Sequence, residues 1–184
     1  MDHTDVQRSS PQAEKNPWEA NDPFQQTRPP QGPRATSTKI LQAVSWGVFL
    51  LSLLYTVVTY LGLPAEIPTH FNVAGQPDAW GAKSEGLISI MVLALCTAGC
   101  LVLARFPRIH NVPVAPRTEA AWQRAYTVST NMLLCAGVGC ALILVEIMYS
   151  TAHPERAGMT FLVPLAVMII PLIVGVIQLV RINK

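Results

Sequence analysis

Charged residues are scarce in this sequence of 184 residues, since only 13% are Asp, Glu, Lys or Arg while 51% are hydrophobic. A chain this apolar, with its apolar residues gathered into long runs, is typical of a membrane protein and excludes an ordinary water-soluble domain. The net charge is only +2, and the basic residues flank apolar runs instead of forming a stripe. We therefore expect the lipid bilayer as a partner, and not nucleic acid.

Cysteine is also rare, and its placement excludes a disulfide framework. Cys96, Cys100, Cys135 and Cys140 all lie inside apolar runs, where we expect them to be small buried hydrophobic residues. No paired histidines or clustered cysteines with the spacing of a metal site are present, so no metal and no cofactor is predicted. Because no nucleophile lies beside a base or a carboxylate pair, we expect a protein that is not an enzyme.

The N-terminal segment, residues 1–39, has few side chains that can form a core. It contains six prolines, and its sizeable apolar residues are Val6, Trp18 and Phe24. A segment of this composition cannot bury enough surface to offset its chain entropy, so it is predicted to be a disordered tail. The first apolar run begins only near Ile40, which argues against a cleavable signal peptide.

Four apolar runs are long enough to cross a bilayer as helices, which takes about 20 residues. Only the third run contains a charged residue, Glu146. The predicted fold is an all-α integral membrane protein, a four-span helical bundle within residues 40–184. The predicted spans are about 40–63, 86–104, 125–150 and 157–180, and the first two are joined by a short Pro/Gly-rich hairpin loop, 64–85.

The basic residues predict the orientation of this bundle. From Arg28 onward, nine Lys and Arg residues lie in flanks that share one side, whereas Lys83 and Arg156 lie on the other. The positive-inside rule then places both termini in the cytoplasm and the hairpin loop outside. Small residues on the second and third spans predict that these two spans pack together. They are Ala94, Ala98 and Gly99, then Ala136, Gly137, Gly139 and Cys140.

The loop 64–85 carries the residues of a turn. Pro64 and Pro68 each force an extended residue before them, so a helix cannot continue past Leu63. Turn-forming residues follow, with Gly75 able to take a positive φ, and the chain is then predicted to return as a small hairpin. Ser84 is the predicted N-cap of the second span.

The run LPxxIPxHFNxxGxPDxWxxK, read from Leu63 to Lys83, resembles the extracytoplasmic segment of a bacterial membrane family called domain of unknown function 1648. The resemblance covers about Ser45 to Leu95, and the family is shared with SdpI-type immunity proteins. It implies a multi-pass protein of the bacterial cytoplasmic membrane. For proteins of the SdpI type, the resemblance implies that the protein protects the cell against a secreted toxic peptide and can recruit a transcriptional repressor to the membrane. This chain has four candidate spans where the longer SdpI pattern has six.

The leading interpretation is a non-enzymatic receptor or immunity-type protein. Its outer loop, 63–85, would engage a peptide, a lipid or an envelope protein, with aromatic side chains as anchors. The predicted contact residues are His70, Phe71, Asn72, Asp78, Trp80 and Lys83, and the residues predicted to hold the loop's shape are Pro64, Pro68, Gly75 and Pro77.

Other interpretations stay open. The chain is alternatively a small transporter or an accessory subunit of a membrane complex, with Glu146 and a last span kinked at Pro171 lining a path. Glu146 is expected to snorkel or to pair with Lys83 or Arg156. The loop can also be purely structural, a plug over the outer helix ends. A bundle of four spans is thin, so a homo-oligomer remains possible.

Overall fold

The structure, a computed structural model, describes residues 28–157 and 159–184. Within these residues the chain forms four helices that are each long and apolar enough to cross a membrane, as the sequence predicted for an all-α membrane bundle. The helices are α1 (Thr36–Gly62), α2 (Lys83–Leu103), α3 (Glu119–Ala152) and α4 (Leu162–Val180), and two strands, β1 (Glu66–Phe71) and β2 (Pro77–Ala82), connect the first two. Short 3₁₀ helices lie at Pro107–Ile109, Pro154–Arg156 and Met159–Phe161.

Local chemistry explains the helix ends. Leu63 is extended, with ψ of 147°, because Pro64 follows it, and α1 therefore ends at Gly62. The hydroxyl of Thr118 accepts the N–H of Ala121 and caps the start of α3. The predicted N-cap of α2 is wrong, since Ser84 lies inside the helix.

The start of α2 is held by a carboxylate instead of a hydroxyl. Glu85 accepts the N–H of Ala82 at 3.3 Å, one turn before its own position. The acid also lies near the positive end of the helix dipole, where a negative charge is favourable.

The centre of the bundle is α3. It packs against α1, α2 and α4, whereas α1 and α2 make much less contact with each other. Phe49, Leu101 and Leu134 form a buried apolar cluster where α1, α2 and α3 meet. Because α3 is buried on several sides and the other helices on one, the outer faces of α1, α2 and α4 are left for lipid.

Glycines on α3 allow this close packing. A Cβ at Gly137 would stand 2.8 Å from Leu101 Cδ2 of α2, so this glycine serves the predicted contact between the second and third spans. Gly139 instead faces α4, where a Cβ would stand 2.5 Å from the Cβ and 3.0 Å from the Cα of Met168. Gly99 has no neighbour within 4 Å of its Cβ position. The predicted small-residue contact therefore holds for Gly137 but not for Gly139 or Gly99.

Residues 28–35 run across the end of the bundle that also contains residues 104–118 and 181–184, which we call the terminal end. The guanidinium of Arg28 donates to the carbonyl oxygens of Arg108 and His110 at 2.5 and 2.7 Å and lies 5.5 Å from the centre of the Trp122 ring. The hydroxyl of Tyr126 donates to the Pro29 carbonyl at 2.9 Å. These contacts fix the segment to α3.

The prediction that residues 1–39 form a disordered tail is therefore wrong for residues 28–39. Residues 28–35 make specific contacts, and residues 36–39 already belong to α1. The amino-acid composition did not indicate that residues 28–35 are ordered, because they are held by hydrogen bonds to distant residues and not by burial of their own apolar side chains. Residues 1–27 lie outside the described residues.

Candidate functional site

The loop between α1 and α2 folds as an antiparallel pair of strands, β1 and β2, joined by a tight turn. The side chain of Asn72 accepts the N–H groups of Ala74 and Gln76 at 2.9 and 3.0 Å. Gly75 has φ of 77°, in the left-handed region where glycine carries no steric cost. We call β1, this turn and β2 the hairpin, and the end of the bundle that carries it the hairpin end.

The hairpin is fixed to the helix ends below it. Ile67 is 3% exposed and packs at the start of α2, where a Cβ on Gly86 would stand 3.0 Å from Ile67 Cδ1. The ammonium of Lys83 donates to the carbonyl oxygens of Leu61 and Leu63 at 3.3 and 3.0 Å, at the C-terminus of α1. It also lies 4.6 Å from the centre of the Tyr60 ring. The hairpin thus has a defined position over the helices.

A cavity of about 670 Å³ lies between the hairpin and the helix ends. Its wall combines apolar side chains with hydroxyls and two carboxylates. The hairpin contributes residues 67–73 and Gly75 to this wall. The helices contribute Tyr60 of α1 and Leu63 directly after it, Glu85, Gly86, Ser89 and Ile90 of α2, and Glu146, Ile147, Met148, Ser150 and Thr151 of α3. Phe161, directly before α4, completes the wall.

Glu146 is the charged residue that α3 brings to this cavity, and it is half-buried. Its carboxylate accepts hydrogen bonds from the hydroxyls of Ser150, at 3.2 Å, and of Thr160. The predicted pairing with Lys83 or Arg156 is wrong. Lys83 donates to carbonyl oxygens at the end of α1, and Arg156 pairs with Glu155 at 3.5 Å. Among the described residues, Glu146 forms no ion pair.

The six predicted contact residues do not form one surface. His70, Phe71 and Asn72 line the cavity, whereas Asp78, Trp80 and Lys83 do not. His70 Nδ1 lies 2.5 Å from Asp78 Oδ1, so these two side chains bind each other across the hairpin. Within the part of the chain that the structure describes, no three His, Cys, Asp or Glu side chains are placed to share a metal ion.

The remaining predicted residues have positions that suggest other roles. Trp80 is 53% exposed on β2 and lies away from the cavity wall. Asn72 uses its side-chain oxygen inside the turn, and Lys83 caps α1. Of the residues predicted to hold the loop's shape, Pro68 and Gly75 line the cavity, Pro64 follows the end of α1, and Pro77 begins β2.

Several cavity residues were not among the sequence predictions. Ser150 follows Glu146 by four positions, so helical spacing places both on one face of α3 and would have identified it. Ser89 is a polar residue in an otherwise apolar run. Thr160 lies in the short 3₁₀ helix Met159–Phe161, after α3 has ended, so the period of α3 does not relate it to Glu146.

In the described part of the chain, four helices long and apolar enough to cross a membrane and a β-hairpin over a cavity at one end of the bundle define a multi-pass membrane protein. Residues 47–95, which contain most of α1, the hairpin and the first half of α2, match the family model described as "Domain of unknown function (DUF1648)". The resemblance seen in the run from Leu63 to Lys83 is thereby confirmed for this part of the chain.

Two curated proteins have similar sequences. One is an uncharacterized protein of Archaeoglobus fulgidus, 32% identical over an alignment of 89 residues that covers 44% of this chain and 49% of the relative. The other is the uncharacterized membrane protein YbgB of Bacillus subtilis, 33% identical over 55 residues, which are 30% of this chain and 60% of the relative. The chain thus spans only about half of the length of these relatives. No solved structure matches it.

Proposed function

We propose that this protein is a non-enzymatic membrane receptor, or a protein of the immunity type, that binds a peptide, a lipid or an envelope partner beneath the hairpin. The observation that carries the proposal is the cavity of about 670 Å³. Ligand sites typically enclose about 300–1,000 Å³ and combine apolar walls with a few polar groups. The wall described above has this composition, with Phe71 and Tyr60 as aromatic surfaces and Glu85 and Glu146 as charged groups.

The proposed orientation has both termini in the cytoplasm of the producing cell and the hairpin outside the cytoplasmic membrane. It is supported by the nine basic residues at the terminal end, against Lys83 and Arg156 at the hairpin end. In this orientation the cavity is accessible to ligands that arrive from outside the cell.

A photoreactive amino acid in place of Phe71 tests the proposal in intact cells. Because this side chain lines the cavity, we expect irradiation to capture one discrete peptide, lipid species or envelope protein, identified by mass spectrometry. The same amino acid in place of Leu51, which is 68% exposed on α1, is the matched control and should capture only bulk lipid. Identical products at both positions, or crosslinks only within the protein itself, would show that the hairpin is a structural plug.

A small transporter, or an accessory subunit of a membrane complex, is the second candidate, because Glu146 is an ionisable residue in a helix long and apolar enough to cross a membrane and it lines the cavity. Pro171 lies within α4 and is not part of the cavity wall. If the protein moves a substrate, Glu146→Gln should abolish ion-coupled uptake into proteoliposomes, and Glu155→Gln, outside the cavity, should leave it intact. If the protein is a receptor, the unaltered protein and both variants should show no uptake.

A further inference from the structure

We infer that the ligand of this cavity is an extended peptide segment whose free N-terminal ammonium binds the carboxylate of Glu146. The inference rests on the proposed function and adds the chemical class of the ligand. It depends on two independent features of the cavity wall. They are a carboxylate that has no basic partner in the part of the chain that the structure describes, and the outer edge of a β-strand.

The first feature is the charge of the wall. Among the described residues, its carboxylates are those of Glu85 and Glu146, and neither Lys nor Arg lines it. Glu85 accepts a backbone N–H at the start of α2, and the wall's histidine, His70, is paired with Asp78. Glu146 is left with two hydroxyl donors and no cation among the described residues.

A half-buried carboxylate on a membrane-spanning helix is stabilised when a cation reaches it. A ligand that carries an ammonium group supplies that cation and forms a charge-assisted hydrogen bond, which is among the stronger polar contacts. The wall therefore selects for a positively charged group and against an anionic one.

The second feature is the way β1 borders the cavity. The lining includes the unbroken run 67–73, although neighbouring side chains of a strand point to opposite faces. An unbroken run indicates that the strand presents its edge to the cavity. One edge of β1 pairs with β2, and the described sheet has only these two strands, so the other edge has no strand partner. Pro68 within β1 offers a carbonyl but no N–H, so the other residues of β1 supply the donors.

An extended peptide satisfies both features at once. It can pair with the edge of β1 by strand addition, and its terminal ammonium can be captured by a carboxylate. A lipid with an amine headgroup would satisfy only Glu146 and would leave the strand edge unpaired. The apolar part of the wall, which includes Phe71, Ile90 and Met148, would contact the side chains of the peptide.

The test uses the full chain in nanodiscs of phosphatidylcholine and phosphatidylglycerol, which lack primary amines. Two pools of randomised pentapeptides without lysine are presented, one with free N-termini and one N-acetylated, and the retained peptides are quantified by mass spectrometry. We expect free N-termini to be retained at least about tenfold better, as expected for loss of one buried charged contact. Glu146→Gln should remove this preference, and Glu155→Gln, an exposed acid outside the cavity, should keep it.

The outcomes separate the inference from the proposed function. Equal retention of both pools would overturn the role of the ammonium and leave a peptide receptor. Retention of neither pool would overturn the inference, and direct binding of added phosphatidylethanolamine in that case, lost in Glu146→Gln, would assign the cavity to a lipid. An unchanged preference in Glu146→Gln would also overturn the inference, and circular dichroism of that variant shows whether it is folded.

Discussion

Replacing Gly139 by leucine is expected to lower the free energy of unfolding by about 3 kcal/mol, the upper part of the range for overpacked sites. A Cβ at this position would stand 3.0 Å from the Cα of Met168 as well as 2.5 Å from its Cβ. Because a backbone atom of α4 is in the way, a rotamer change of the methionine cannot relieve the clash. The two helices must separate, and α4 loses its packing against the central helix.

Thermal or SDS-induced unfolding in nanodiscs measures this effect, with Gly99→Leu as the matched control. Both glycines lie inside membrane-spanning helices, and both substitutions add the same side chain. No neighbour lies within 4 Å of the Cβ position at Gly99, so the control should unfold like the unaltered protein. Equal stability of the two variants would show that α3 and α4 do not pack at Gly139.

Replacing Lys83 by methionine is expected to lower the free energy of unfolding by about 2 kcal/mol, because hydrogen bonds to a charged group contribute about 1.5–3 kcal/mol. The ammonium satisfies two carbonyl oxygens, of Leu61 and Leu63, where α1 ends. Helix C-termini leave carbonyls unpaired and favour a nearby cation. Methionine keeps the length of the side chain and loses these bonds and the contact with the Tyr60 ring.

The control for this prediction is Arg156→Met, the other basic residue of the hairpin end. Its guanidinium is largely exposed and, of the residues that the structure describes, pairs only with the adjacent Glu155, so its loss should change the unfolding free energy little. If Lys83→Met matches the control in stability but loses ligand capture from position 71, the residue is a ligand contact, as its sequence position first indicated. Reduced stability identifies it as the cap that joins the hairpin to α1.

The four spans were predictable from sequence because crossing a bilayer needs a long apolar run, and each run is visible without knowledge of its neighbours. The end of α1 was predicted to within one residue, since Pro64 acts on the residue directly before it. The start of α3 was missed by six residues, because its first turns are polar and depend on a cap at Thr118 and on packing of Trp122.

The cavity was harder to predict than the helices, because it depends on contacts between residues that are distant in the sequence. Glu146 was identified because a charge in an apolar run is conspicuous, and His70 and Phe71 because the loop is rich in turn-forming residues. No local pattern showed that α3 passes beneath the hairpin, so the loop and Glu146 were assigned to competing functions. The structure places them on the wall of one cavity.

The length of α3 has a mechanical consequence. At 1.5 Å per residue its 34 residues extend about 51 Å, well beyond the roughly 30 Å of the hydrocarbon layer. The same rigid rod carries Glu146 near one end and, about 36 Å away along its axis, Trp122, which holds Arg28. Because α3 is one unbroken helix between these residues, a tilt or rotation of α3 imposed at the hairpin end would also displace the anchorage of residues 28–35 at the terminal end.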